Sequence, residues 1–151
     1  KIPITNTKKE STVDLIGRLS EKGVVCNVTA IFTIEQVEKV ISKINPNTPI
    51  ILSVFAGRIA DAGIDPIDMM KKSVSLSKQK SKSEILWAST REIINIFQAE
   101  EAGCHIITVP HELLNKFSTI GKSLENYSLE TVSAFYNDAK AAGYSIKKSN
   151  T

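Results

Sequence analysis

EILWASTREIINIFQAEEAGCHIITVP, residues 84–110, is the stretch on which the fold turns. Ile85, Leu86, Trp87 and Ala88 form a short apolar run without alternation, the pattern of a strand covered on both faces. Ser89, Thr90 and Arg91 interrupt it, and residues 91–102 then carry Ile93, Ile94, Phe97 and Ala102 at helical spacing. Gly103 suits the end of that helix, and residues 104–109 form a second apolar strand closed by Pro110. Strand, helix and strand at this spacing make a βαβ unit, which requires a parallel pair. The polar triplet stands where strand becomes helix. A hydroxyl, backbone N–H groups at a helix start and a guanidinium together make an anion site.

Upstream, the same alternation recurs. Residues 1–5 (KIPIT) read as an extended run in which Pro3 marks an edge, a bulge or a strand end. Residues 7–22 give a helix through Val13, Ile16 and Leu19, with Ser11 or Thr12 as cap and Gly23 as stop. A strand at 24–29 leads to a helix capped by Thr33 and carrying Val37, Val40 and Ile41. A strand at 50–55 leads through Ala56, Gly57 and Arg58 into a loop, then a helix from Ile67 to about Lys80. Downstream, 111–117 make a short helix, with His111 a candidate cap; 121–127 make a loop and 128–142 a final helix.

Five strands, each followed by a helix, predict an α/β fold with a parallel sheet. No GxGxxG or GxxxxGK[ST] follows any strand, which removes the main support for a nucleotide-binding open sheet. A parallel (β/α)8 barrel takes roughly 250 residues, so five units take about 156. The 151 residues here match the last five βα units of such a barrel, one domain over 1–151 with the first three strands outside it. The chain opens on Lys1 with no initiator Met, so it is expected to be a piece of a longer protein.

Composition excludes several classes. The chain is 42% hydrophobic and 23% charged, ordinary for a globular domain, and no apolar run approaches the roughly 18 residues of a membrane helix. A net charge of +3, from 19 basic and 16 acidic residues, does not call for nucleic acid. The lysine-rich run at 71–82 lacks interleaved aromatics and reads as a solvated face. Cys26 and Cys104 sit in apolar runs without metal or CxxC spacing and are read as buried free thiols in a reducing, cytoplasmic compartment. His105 and His111 have no partners at metal spacing.

In a barrel, chemistry sits at the C-terminal ends of the strands. The polar residues there are Lys1, Asn27 and Thr29, Ser53 and Arg58, and Ser89 and Arg91. Strand alternation puts Asn27 and Thr29 on one face, and likewise Trp87 and Ser89. Trp87 is expected in the core. Two arginines with hydroxyls from neighbouring strands suit a phosphate monoester, because the guanidinium fork binds phosphate oxygens in pairs; the alternative is that Arg58 and Arg91 form surface ion pairs. An amine inside an apolar strand is desolvated and becomes a nucleophile toward carbonyls, but by spacing alone the chain-terminal Lys1 reads as solvated. Asp61, Asp65 and Asp68 follow the third strand and read as solvated.

These segments carry a resemblance. KIPIT at 1–5, NVT at 27–29, SVFAGR at 53–58, ASTR at 88–91 and AGCHIITVP at 102–110 are similar, in order, to the C-terminal part of the transaldolase family, which includes fructose-6-phosphate aldolase-like enzymes. The resemblance implies a class I aldolase-type (β/α)8 barrel that needs no metal or cofactor and acts on small sugar phosphates. It implies that Lys1 forms the Schiff base, that Asn27, Thr29 and Ser53 line the substrate, and that Arg58, Ser89 and Arg91 hold its phosphate. The expected activity is transfer of a dihydroxyacetone unit from a ketose phosphate to an aldose phosphate, a reaction of pentose phosphate metabolism. The alternatives are aldolase-type cleavage or a phosphosugar-binding fragment without chemistry, and the arginine of ASTR favours transfer. The family's acid/base aspartate lies on the first strand, so the residues in hand are expected to be impaired in turnover alone. The final helix has a family counterpart that packs over the barrel or on a neighbouring subunit, which leaves room for a homo-oligomer.

Overall fold

A computed structural model describes residues 1–80 and 82–145; Ser81, within the lysine-rich run, and residues 146–151 lie outside it. The elements run β1 (Ile2–Pro3), α1 (Val13–Glu21), β2 (Cys26–Ile31), α2 (Ile34–Lys43), β3 (Ile50–Val54), α3 (Ala56–Asp61), α4 (Ile67–Ser77), β4 (Ser83–Trp87), α5 (Ile94–Glu101), β5 (Ile106–Ile107), α6 (His111–Leu114) and α7 (Leu124–Ala141). All five strands pair parallel, in the spatial order β1-β2-β3-β4-β5. A doubly wound sheet reverses its strand order at a switch point, whereas a barrel wall advances one strand at a time. The unbroken order is therefore that of a partial (β/α) barrel.

The sheet is built from its two faces. Cys26, Val28 and Ile31 of β2, Ile50, Leu52 and Val54 of β3, and Ile85 and Trp87 of β4 point to the helix layer and are almost fully buried. They meet Ile16 of α1, Val37, Val40 and Ile41 of α2, and Met70 and Val74 of α4 in one core. Each such side chain withdrawn from water contributes roughly 1.5–3 kcal/mol. Trp87, at 0% exposure, is a core residue as expected. Gly17 lets α1 approach α2 closely, since a Cβ there would lie 3.2 Å from the Lys43 carbonyl oxygen.

Local chemistry moves several boundaries. The first helix starts at Val13 rather than Thr7, because Asn6 folds the preceding residues into a turn. Its Oδ1 accepts the N–H groups of Lys8 and Glu10. Thr12 does not cap through its side chain; its hydroxyl donates to the Pro3 carbonyl and ties the helix to β1. Pro3 lies on the edge strand, where a missing N–H costs no ladder bond. Thr33 caps α2 in a reciprocal box with Gln36. Ala56, Gly57 and Arg58 are not loop but the first turn of α3. β5 is only two residues long, because the backbone N–H of Ile85 donates to His105 Nδ1 where a longer strand would have supplied a carbonyl. His111 begins α6 without a capping side chain.

The chain forms two compact units, Lys1–Lys116 and Phe117–Thr151. The first holds the sheet and the core. In the second, a 3-10 turn at Phe117–Thr119 precedes α7, which starts four residues before the expected position because Ser123 accepts the Asn126 N–H. No α7 residue is buried, and Leu129, Val132, Phe135 and Tyr136 are each more than half exposed. No helix among the described residues is long and apolar enough to cross a membrane.

Candidate active site

The sheet face opposite the helices carries Asn27 and Thr29 from β2, Ser53 from β3 and Leu86 from β4. Their parity follows from the register, in which Asn27 opposes Ile51 and Ser53 opposes Leu86. A bulge in β2 decides how that face ends. Val28 pairs with Leu52 and Ile31 with Val54, so Thr29 and Ala30 together oppose Ser53. Ala30 takes a left-handed φ of 57° to permit this. Thr29 thereby keeps its side chain on the open face, and Ile31 returns to the helix core. Ser89, also left-handed at φ 66°, breaks alternation in the same way. The expected shared face for Trp87 and Ser89 does not hold: Trp87 packs among the helices, and Ser89 joins Leu86 and Ala88 on the open side.

These residues bound a cavity of about 220 Å³ at the C-terminal ends of the strands. Lys1, Asn27, Thr29, Ser53 and Ser89 all line it, so five of the seven residues singled out from the sequence come together. Ser53 Oγ donates to Asn27 Oδ1 at 2.7 Å, which orients the amide and leaves its two N–H groups for another acceptor. Thr29 Oγ1 is buried and has no hydrogen-bond partner among the described residues. A buried hydroxyl left in this state costs roughly 1–3 kcal/mol, and a ligand seated in the cavity would supply its partner. Lys1 is exposed rather than enclosed in a strand, since β1 begins only at Ile2. Phe55 and Thr108 also line the cavity and were not singled out from the sequence. Thr108 was legible as the polar residue at the end of the last strand. Its carbonyl accepts the Thr90 hydroxyl at 2.6 Å, joining the β4 and β5 ends.

The two arginines lie outside this lining. The Arg58 guanidinium stands 5.5 Å over the ring of Phe55, which lines the cavity and also meets the Phe32 ring at 5.6 Å. Arg91 donates from Nε and one terminal nitrogen to Asp61 Oδ2, at 3.1 and 2.7 Å. Asp61 is thus paired, not merely solvated. The helix start expected at Arg91 falls instead at Ile94, and the N–H groups of Arg91 and Glu92 both donate to Asn95 Oδ1 at 3.0 Å. Those amides are taken, so the side chains carry the anion-binding capacity of this segment. Gly57 sits beneath it: a Cβ there would fall 1.6 Å from the Ser89 carbonyl oxygen.

A roomier concavity, about 410 Å³, is bounded by one stretch of α1 and its C-cap. A single helix surface brings together no groups from separate strands, so the strand-end cavity is the better candidate. Both cysteines are free; Cys26 is buried and Cys104 half-buried, its thiol pushed up to about 11 by burial, away from the cavity.

Comparison with known proteins agrees with this fold. The family model described as Transaldolase/Fructose-6-phosphate aldolase matches residues 1–150. The chain is similar to "Probable transaldolase 2" of Listeria monocytogenes, 36% identical over 118 residues, 77% of this chain and 50% of that protein. It is 32% identical over 120 residues to "Probable transaldolase" of Caldicellulosiruptor saccharolyticus, covering 78% of this chain and 52% of that protein. For the Clostridium acetobutylicum protein of the same description, identity is 32% over 117 residues, with 77% and 51% covered. The chain spans about half the length of the curated relatives it matches.

Proposed function

The chain belongs to the transaldolase/fructose-6-phosphate aldolase family, and on that premise we propose that its protein transfers a dihydroxyacetone unit between sugar phosphates through a Schiff base on Lys1. The observation that carries this reading is the single cavity lined by Lys1, Asn27, Thr29, Ser53 and Ser89. In it one amine meets an oriented amide and three hydroxyls, the complement of a polyhydroxylated ketose. Lys1 Nζ adds to the ketose carbonyl, and water leaves as the imine forms. The protonated imine takes up the electron pair of the C3–C4 bond as it breaks. The C4 hydroxyl passes its proton to a base and becomes the aldehyde of the departing aldose phosphate. The three-carbon enamine attacks the aldehyde carbon of an acceptor aldose phosphate, and hydrolysis of the imine releases product and amine.

Asn27, Thr29 and Ser53 orient the sugar hydroxyls, while Arg58, Ser89 and Arg91 anchor the phosphate. Arg58 stacks on the cavity-lining Phe55 and Arg91 lies two residues beyond the cavity-lining Ser89, which fits a phosphate outside the lining and a ketose carbonyl toward Lys1. Among the described residues, none that bounds the cavity is a carboxylate. The base is accordingly the aspartate that family resemblance assigns to an earlier strand, and these residues alone form the imine but turn over slowly. Free cysteines fit a reducing compartment, the cytoplasm.

Borohydride trapping with fructose 6-phosphate, read by intact mass and fragment mapping, tests the reading. A reduced adduct on the Lys1 side chain, absent in Lys1→Arg, is expected. An adduct confined to the α-amine, or none despite phosphate-dependent binding, would leave only a phosphosugar-binding module. Dependence of turnover on an added aldose phosphate, measured in the longer protein, separates transfer from simple cleavage.

A further inference from the structure

We infer that Asp61 is the positioning residue of the phosphate site: it holds the Arg91 guanidinium so that its remaining N–H edge is presented to substrate. The inference rests on the proposed role of Arg91 as a phosphate anchor. Arginine carries five N–H donors. Asp61 Oδ2 takes one from Nε and one from a terminal nitrogen. What remains is the fork formed by the two terminal nitrogens, the edge that binds phosphate oxygens in pairs.

Arg91 is fixed at three points. Its backbone N–H donates to Asn95 Oδ1. Its stem packs over Gly57, where a Cβ would come within 3.2 Å of Arg91 Cγ. Its head reaches Asp61, four residues beyond Gly57 on α3. The pair therefore joins the segment after β3, which bears Arg58, to the segment after β4, which bears Ser89 and Arg91.

Stability is not the reason for such a bond. Both side chains are about half exposed, 48% for Arg91 and 53% for Asp61, and an ion pair in that setting contributes little to folding. Orientation is another matter. A free arginine side chain loses rotamer freedom when it engages a ligand, and a guanidinium already held loses less. Asp61 also cancels the Arg91 charge in the unliganded protein. If its effect were mainly that of a competing anion, removing it would tighten phosphate binding; positioning predicts the opposite sign.

Titration calorimetry of this chain with fructose 6-phosphate, with fructose as the phosphate-free control, separates these outcomes. Arg91→Ala is expected to abolish the phosphate-dependent part of binding. Asp61→Ala should weaken fructose 6-phosphate about 5- to 10-fold, inside the range of couplings between groups in one network, and leave fructose unchanged. Asp61→Asn keeps an oxygen that accepts from Nε and the terminal nitrogen, and should stay within about 2-fold of the parent. The Arg91 Nε–H resonance should persist in Asp61→Asn and be lost to exchange in Asp61→Ala, a readout independent of substrate. Equal or tighter fructose 6-phosphate binding by Asp61→Ala overturns the inference, as does equal weakening for both sugars. Loss of phosphate-dependent binding in the parent, or its survival in Arg91→Ala, overturns the phosphate reading itself and the inference with it.

Discussion

Thr29 shows how much a single residue can disclose. Its hydroxyl is buried on the cavity wall with no partner among the described residues, so it opposes folding and is retained against that cost. Thr29→Val, which keeps the shape and removes the oxygen, should raise unfolding stability by about 1 kcal/mol. The same change should slow adduct formation with fructose 6-phosphate. Urea denaturation beside borohydride trapping would check both, and a loss of stability would mean that the hydroxyl has a structural partner. The residue type and its alternation with Asn27 were legible in NVT, because a polar residue two positions from another in a buried strand points the same way. Its lack of a partner was not, since satisfaction depends on neighbours distant in sequence. Lys1 failed as a buried strand residue for a related reason: the strand pairs only from Ile2, and apolar flanks do not enclose an amine by themselves.

Among the elements, the contact between the α3 start and the β4 exit is the tightest. The Gly57 N–H donates to the Ala88 carbonyl at 3.3 Å, and the Ser89 carbonyl oxygen occupies the space that a Cβ on Gly57 would need. Gly57→Ala should therefore cost about 3 kcal/mol, because backbone is displaced rather than a flexible side chain. Gly63→Ala is the control. Gly63 is left-handed at φ 79° but has nothing within 4 Å of the added methyl, so strain alone remains, about 1 kcal/mol. Urea midpoints for the pair would show the difference, and equal losses would mean that the close approach relaxes freely. The helix start expected at Arg91 moved because the Asn95 side chain captures the first two amides. That competition between side chain and backbone leaves no mark in apolar periodicity. The Thr33 cap, by contrast, was readable, since a capping box lies entirely within four consecutive residues.

For the whole molecule, every buried apolar side chain among the described residues falls within Lys1–Lys116, and α7 has none. The sequence by itself determined the parallel α/β class, the number of strands and five of the polar residues that meet at their ends, though not Thr108. Periodicity, turn residues and motif order are local properties, and five short motifs in register are hard to satisfy by accident. Only the tertiary structure decided that Ser89 turns away from the Trp87 face, that Arg91 is bound to Asp61, and that α3 begins at once after β3. Each of these depends on a left-handed residue, a close backbone approach or a charge pair between residues about 30 positions apart. Such features are selected by packing between elements, after local preference has chosen the elements themselves.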